Sequence, residues 1–110
     1  MNPSNLAWLA LLASVVAEVL GTLALRAADG LTKPWPSIAV VLCYGCAIWL
    51  MSVSVRQLEM GLAYAVWAGS GTALTAAIGM LCFQEAFTWS RLLGLTFIVL
   101  GVLALNLSTR

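Results

Sequence analysis

Apolar residues fall into four long stretches, at about 6–25, 37–55, 61–83 and 92–107, and nearly all charged residues are gathered between or beyond them. A bilayer-crossing helix needs roughly 20 apolar residues. These runs approach that length and are too continuous for barrel strands, so membrane backbone satisfaction leaves helices as the spanning form. Between the first two runs, residues 26–36 carry Gly30, Pro34, Pro36 and several charges, which marks a loop. Trp35 in that loop is placed to anchor at a membrane interface. Arg56-Gln57-Leu58-Glu59 forms a second short turn, and Gln84-Glu85 closes the third run. The pattern predicts an all-α integral membrane protein: four transmembrane helices in one up-down domain over residues 1–110, with both termini on one side. No room remains for an extramembrane domain. The opening Met1-Asn2-Pro3-Ser4-Asn5 lacks the basic stretch of a cleaved secretion signal, so the first run is expected to stay as a helix.

One charge breaks the first run near its middle, Glu18. A carboxylate at that depth costs about 2.5 kcal/mol or more on insertion scales, and such residues serve binding or proton transfer by default. Residues three, four and seven positions away share its helical face. They are Leu11, Ser14, Val15, Gly21, Thr22 and Leu25, several of them small or hydroxylated. Leu9, Leu12, Val16, Leu20 and Leu23 fall mostly on other faces and suit lipid or helix packing. Glu18 is thus expected to look into a cavity or partner helix, with Leu11, Ser14, Gly21 and Thr22 lining its surroundings. The competing reading is a buried polar clamp with no part in transport.

Aromatic residues supply a second theme. Tyr64 and Trp67 lie three apart on one face of the third run, followed by Ala68 and Gly71, and Tyr44 adds another ring from the second run. Aromatic faces attract organic cations, so a carboxylate with these rings is a plausible cation site; without Glu18 they would read as packing. Gly69 and Gly71, so close together, weaken the helix by up to about 1 kcal/mol each relative to alanine. They mark an expected bend.

Composition excludes other chemistries. The chain has 110 residues, 63% hydrophobic and 8% charged, with a net charge of +1, far from the roughly 25% charged content of a soluble domain. Nothing suggests nucleic acid or an acidic substrate. Histidine is absent, which removes imidazole chemistry and argues against a metal site. The Cys43 and Cys46 spacing invites a redox or zinc reading. It lacks a second ligand pair, and with Cys82 these residues read as small, soft packing groups. No cofactor is expected, and no nucleophile with a base or cofactor loop suggests an enzyme.

Orientation signals are nearly balanced. Loops one and three hold Arg26, Lys33 and Arg91, against Arg56 and Arg110 on the side of the termini. Three against two gives little positive-inside preference, so one chain could insert both ways and pair as an antiparallel homodimer. In the fourth run Gly94 and Gly101 lie seven apart, with Ile98 and Leu105 continuing the stripe. Such small residues permit close helix approach, as a dimer seam or as packing within one chain.

Several segments together carry a family resemblance: Ala17-Glu18-Val19-Leu20-Gly21-Thr22, Trp35-Pro36-Ser37, the run from Gly61 to Gly71 reading GLAYAVWAGSG, and Gly94 with Gly101. Over essentially its whole length the chain resembles the small multidrug resistance family of four-helix, proton-coupled exporters. The resemblance implies an antiparallel, dual-topology homodimer in a bacterial inner membrane, powered by the proton gradient. Glu18 of both subunits would bind protons or a cationic substrate in turn. Tyr44, Tyr64 and Trp67 would line the site, Gly69 and Gly71 would provide the bend, and the face of Gly94, Ile98, Gly101 and Leu105 would make the dimer. Two carboxyls sharing a site titrate as a coupled pair, and competition between protons and cation is what antiport requires.

Within the family, guanidinium exporters tend to carry tryptophan three residues after the glutamate. This chain has Gly21 there and keeps Tyr44, similar to the quaternary-ammonium and polyaromatic-cation subtype. Arg26 stands where lysine is usual, and Glu59 where proline is common, which bears on the second loop. Guanidinium export by the same fold is the nearest alternative; a non-transporting membrane accessory subunit is a more distant one.

Overall fold

The computed structural model describes residues 2–108. Four helices follow one another, α1 (Pro3–Ala27), α2 (Pro34–Ser54), α3 (Met60–Cys82) and α4 (Trp89–Ser108). Each is long and apolar enough to cross a membrane. They run slightly past the apolar stretches at most ends, and α1 and α2 begin at prolines. Pro3 and Pro34 occupy first-turn positions, where a missing N–H costs nothing. The Asn2 side chain accepts from the Asn5 N–H at 2.8 Å, and Thr88 Oγ1 accepts from the Arg91 N–H at 3.1 Å. Between α1 and α2 the chain reverses through left-handed backbone at Asp29, Gly30 and Leu31.

The tightest packing joins α1 to α2, and small residues make it possible. Ala7, Ser14 and Gly21 recur every seven residues on α1; Val40, Ala47 and Ser54 do the same on α2; all six are buried. The two stripes meet antiparallel. Ser54 Oγ donates to the Ala7 carbonyl at 2.9 Å, Ser14 Oγ donates to the Ala47 carbonyl at 2.7 Å, and Gly21 lies against Tyr44 and Cys43. Glycine, alanine and serine let backbones approach, and in lipid that approach and the hydroxyl bonds must supply what the hydrophobic effect gives a soluble bundle. Cys43 therefore serves packing here, whereas Cys46 and Cys82 are exposed; all three are free thiols.

On its other side α1 meets α3. Leu11 is fully buried against Leu62, Ala63 and Val66, with Trp8, Met51, Leu58 and Trp67 around them. α4 leans on α3, its Ile98 and Val102 methyls facing Gly69. It has no buried residue.

α3 stays helical without interruption through Gly69-Ser70-Gly71. In this structure the two glycines act as clearances. Gly69 makes room for α4, and Gly71 makes room for the Glu18 carboxylate, whose Oε2 would lie 2.8 Å from an added Cβ.

The seam makes a quantitative prediction. Each of Ser14→Ala and Ser54→Ala removes one interhelical hydroxyl bond and is expected to destabilise the protein by about 0.6 kcal/mol, the average for such bonds in membrane bundles. Detergent unfolding followed by circular dichroism measures this; a neutral double variant would mean that backbone approach alone holds α1 to α2.

Candidate functional site

Because the seam positions of α1 face α2, the residue one turn beyond Ser14, Glu18, is rotated toward α3. There it meets a cavity of about 470 Å³, lined by Glu18 and Thr22 of α1, by Trp67, Ala68, Gly71, Thr72, Thr75 and Ala76 of α3, and by Glu85 of the following loop. A cavity of this size accommodates a drug-sized ligand. Its α3 wall consists of two neighbouring rows at four-residue spacing, Trp67-Gly71-Thr75 and Ala68-Thr72-Ala76. Apart from Trp67, every α3 residue in the wall is small or hydroxylated.

The Glu18 side chain is held from one edge. Thr22 Oγ1 lies 3.0 Å from the Glu18 carbonyl and 3.1 Å from Glu18 Oε1, with the Tyr44 hydroxyl 2.9 Å away. A threonine hydroxyl has one proton to give. When that proton goes to Glu18, shared between its carbonyl and Oε1, the Tyr44 hydroxyl is the donor to Thr22, so the contacts link α2 to Glu18 through Thr22. Tyr44 itself is seated on Gly21, where an added Cβ would come within 2.7 Å of the ring. Thr22 engages Oε1. Oε2 rests over Gly71.

Trp67 is half-buried beside this carboxylate, and its indole Nε1 is buried without a hydrogen-bond partner among the described residues. Tyr64 stacks on it at a tilt, with ring centroids 5.7 Å apart. At 60% exposure, however, Tyr64 points away from the bundle. Within one chain it belongs to the outer surface beside the site.

Of the expected lining residues, Thr22 is in the wall, while Leu11, Ser14 and Gly21 are not. A face drawn through positions three, four and seven away is broad, and the neighbouring helices divide it. Leu11 goes to the α1–α3 core, Ser14 and Gly21 to the α1–α2 seam. Tyr44 reaches Glu18 only through Thr22. On α4, an added Cβ at Gly94 or Gly101 would meet nothing within 4 Å. Ile98, Gly101 and Leu105 line an open groove between α3 and α4, and Gly94 a smaller recess beside Arg91.

Sequence reasoning missed Thr72, Thr75, Ala76 and Glu85. For the α3 wall the signal was present: Gly71, Thr75 and Gly79 continue the Trp67 row at four-residue spacing, a small or polar stripe inside an apolar helix.

The profile of the Small Multidrug Resistance protein matches residues 6–98. The chain belongs to the small multidrug resistance family. Among curated relatives of this small multidrug resistance protein, the multidrug resistance protein EbrB of Bacillus licheniformis is 43% identical over 96 residues, covering 87% of this chain and 81% of its own. The quaternary ammonium compound-resistance protein QacF of Klebsiella aerogenes is 38% identical over 103 residues, 94% of either chain. The multidrug transporter EmrE of Escherichia coli is 32% identical over 110 residues, 100% of this chain and 96% of its own. Family and helices together make this a multi-pass membrane protein.

The site geometry can be checked without any ligand. Gly71→Ala would place a methyl against Glu18 Oε2. The carboxylate is expected to swing away, shifting the Glu18 carboxyl carbon resonance in micelles while helix content stays the same. An unmoved resonance would mean that Gly71 does not seat the carboxylate.

Proposed function

We propose that this protein is a proton-coupled antiporter that exports hydrophobic organic cations, quaternary ammonium compounds among them, across a bacterial inner membrane. The observation that carries this reading is the Glu18 carboxylate in a membrane-spanning helix, one oxygen tied to Thr22 and the other facing a cavity beside Trp67. A carboxylate there has two neutralising partners, a proton or a cation. Bulky, weakly hydrated cations gain further from the indole face, by about 0.5 to 2 kcal/mol. The relatives named for multidrug and quaternary ammonium resistance and the EmrE transporter support export of that class.

The working unit in this reading is an antiparallel, dual-topology homodimer, which brings two Glu18 carboxyls to one site. They exchange protons for a cation as a coupled pair. The unburied α4, with open space at Gly94 and Gly101 on the proposed Gly94, Ile98, Gly101 and Leu105 face, supports pairing through that helix. Tyr44 acts through Thr22, and Tyr64 supplies an outer aromatic wall. Gly69 and Gly71, lacking side chains, leave α3 free to bend as access alternates.

Exchange is tested by Glu18→Gln, which keeps the size and removes the charge. It is expected to abolish cation uptake driven by a pH gradient in proteoliposomes and to lower tetraphenylphosphonium affinity by at least about a hundredfold, the scale of a lost buried charge contact. For the unaltered protein, affinity should fall as pH falls, since protons compete for the same carboxyls. Active transport by the glutamine variant would refute the mechanism, and transport of guanidinium in place of bulky cations would move the protein to the other substrate class.

Topology follows from the balanced basic residues; Arg110, counted among them, lies outside the described residues. Cysteine labelling of the C-terminal tail, with Cys43, Cys46 and Cys82 replaced, is expected to find it on both membrane sides in comparable amounts. Labelling from one side alone would reject dual topology.

A further inference from the structure

The Glu18 cavity has a second carboxylate at its other end, and the chain goes out of its way to put it there. α3 ends at Cys82, yet the N–H groups of Phe83 and Glu85 both donate back to the Gly79 carbonyl, at 3.1 and 3.0 Å. Gln84 takes a left-handed φ of +56° to allow the reversal. The Glu85 side chain then lies directly over Gly79, where any Cβ would collide with its carboxylate. Between Glu18 at Gly71 and Glu85 at Gly79 run Thr72, Thr75 and Ala76, a small and hydroxylated track roughly 12 Å long at 1.5 Å per residue.

Electrostatics within the chain does not account for this placement. The carboxylate sits at the C-terminal end of α3, the negative pole of the helix dipole. Its ion pair with Arg91 is long, 3.9 Å, with both side chains about half exposed, a contact of small worth in solvent. Arg26, the cation nearest in the fold on the α1 side, is engaged 4.1 Å over the Phe83 ring. Glu85 thus keeps acceptor capacity facing the cavity, where an incoming cation can use it.

We propose that Glu85 is a recruiting residue for organic cations: it concentrates them at the cavity mouth and passes them along the Thr72–Thr75 track to Glu18, with Arg91 as its weakly held counter-charge. This rests on reading Glu18 as the exchange site. Glu85 is not itself an exchange group. It acts on encounter, so its effect is a long-range attraction that salt screens, with a Debye length of about 10 Å at 0.1 M.

The test measures initial rates of tetraphenylphosphonium uptake into proteoliposomes under a pH gradient, at about 10 mM and about 500 mM salt, where screening is respectively weak and nearly complete. Glu85→Gln is expected to raise KM by roughly three- to tenfold at low salt and by less than about twofold at high salt, with the maximal rate retained. Glu85→Asp should restore the parental KM, and Arg91→Gln, which frees the carboxylate, should lower it at low salt only. An unchanged KM in Glu85→Gln at low salt overturns the proposal, as does a loss of maximal rate equal at both salt concentrations, which would make Glu85 a loop-packing residue. If Glu85→Gln does not accumulate, Arg91→Gln decides, a KM that fails to fall counting against recruitment. Absence of uptake by the unaltered protein would remove the exchange reading itself, whereas uptake with no salt-dependent change in these variants removes only the role of Glu85.

Discussion

Everything in this molecule hangs on how α1 is rotated, and the rotation is set by its seam with α2. Lipid tails are as apolar as leucine side chains, so burying leucine gives no preference for one helix face over another. Close approach does. Ala7, Ser14 and Gly21 pack opposite Val40, Ala47 and Ser54, stripes made mostly of small residues, and two hydroxyl-to-carbonyl bonds mark their register. Once those positions face α2, Leu11 faces α3 and Glu18 looks along α3 into the cavity.

Around the carboxylate, each neighbour has a different task. Thr22, hydrogen-bonded to Tyr44 of α2, lies against one oxygen. Gly71 clears space for the other. Trp67 shares the cavity wall with the charge, and in the proposed export its ring favours bulky organic cations. Gly69 and Gly71 of α3 serve as clearances, one for α4 and one for Glu18, in a helix that remains continuous. Loss of a side chain at these points allows contact, and the same absence keeps the helix easy to deform.

The two ends of the cavity carry the same sign of charge in different settings. Glu18 is within a span, beside the Thr22 hydroxyl; Glu85 is beyond the end of α3, beside Arg91 and near the Arg26–Phe83 contact. The first setting underlies the exchange proposed for Glu18, the second the salt-screened encounter proposed for Glu85. A path of small and hydroxylated residues joins them, and its polarity is low enough to remain part of an otherwise apolar helix.

The amino-acid sequence by itself determined the four helices, the membrane as their solvent, and Glu18 as the one charge within an apolar run. Those follow from one-dimensional quantities, the length of apolar runs and the depth of a lone charge, that need no neighbour to be defined. Family membership was legible as well, in the segments around Glu18, Trp35 and Trp67. The division of the Glu18 face was not. Leu11, Ser14 and Gly21 share that face with Thr22 by periodicity, yet only Thr22 reaches the cavity, because which part of a broad face meets α2, α3 or open space depends on where the other helices lie. Glu85 was read as the polar end of a run, since a reversal at Gln84 that folds a loop residue back over Gly79 leaves no trace in hydropathy. Periodicity assigns a residue to a side of its own helix, and only the packing of the helices against one another decides what that side touches.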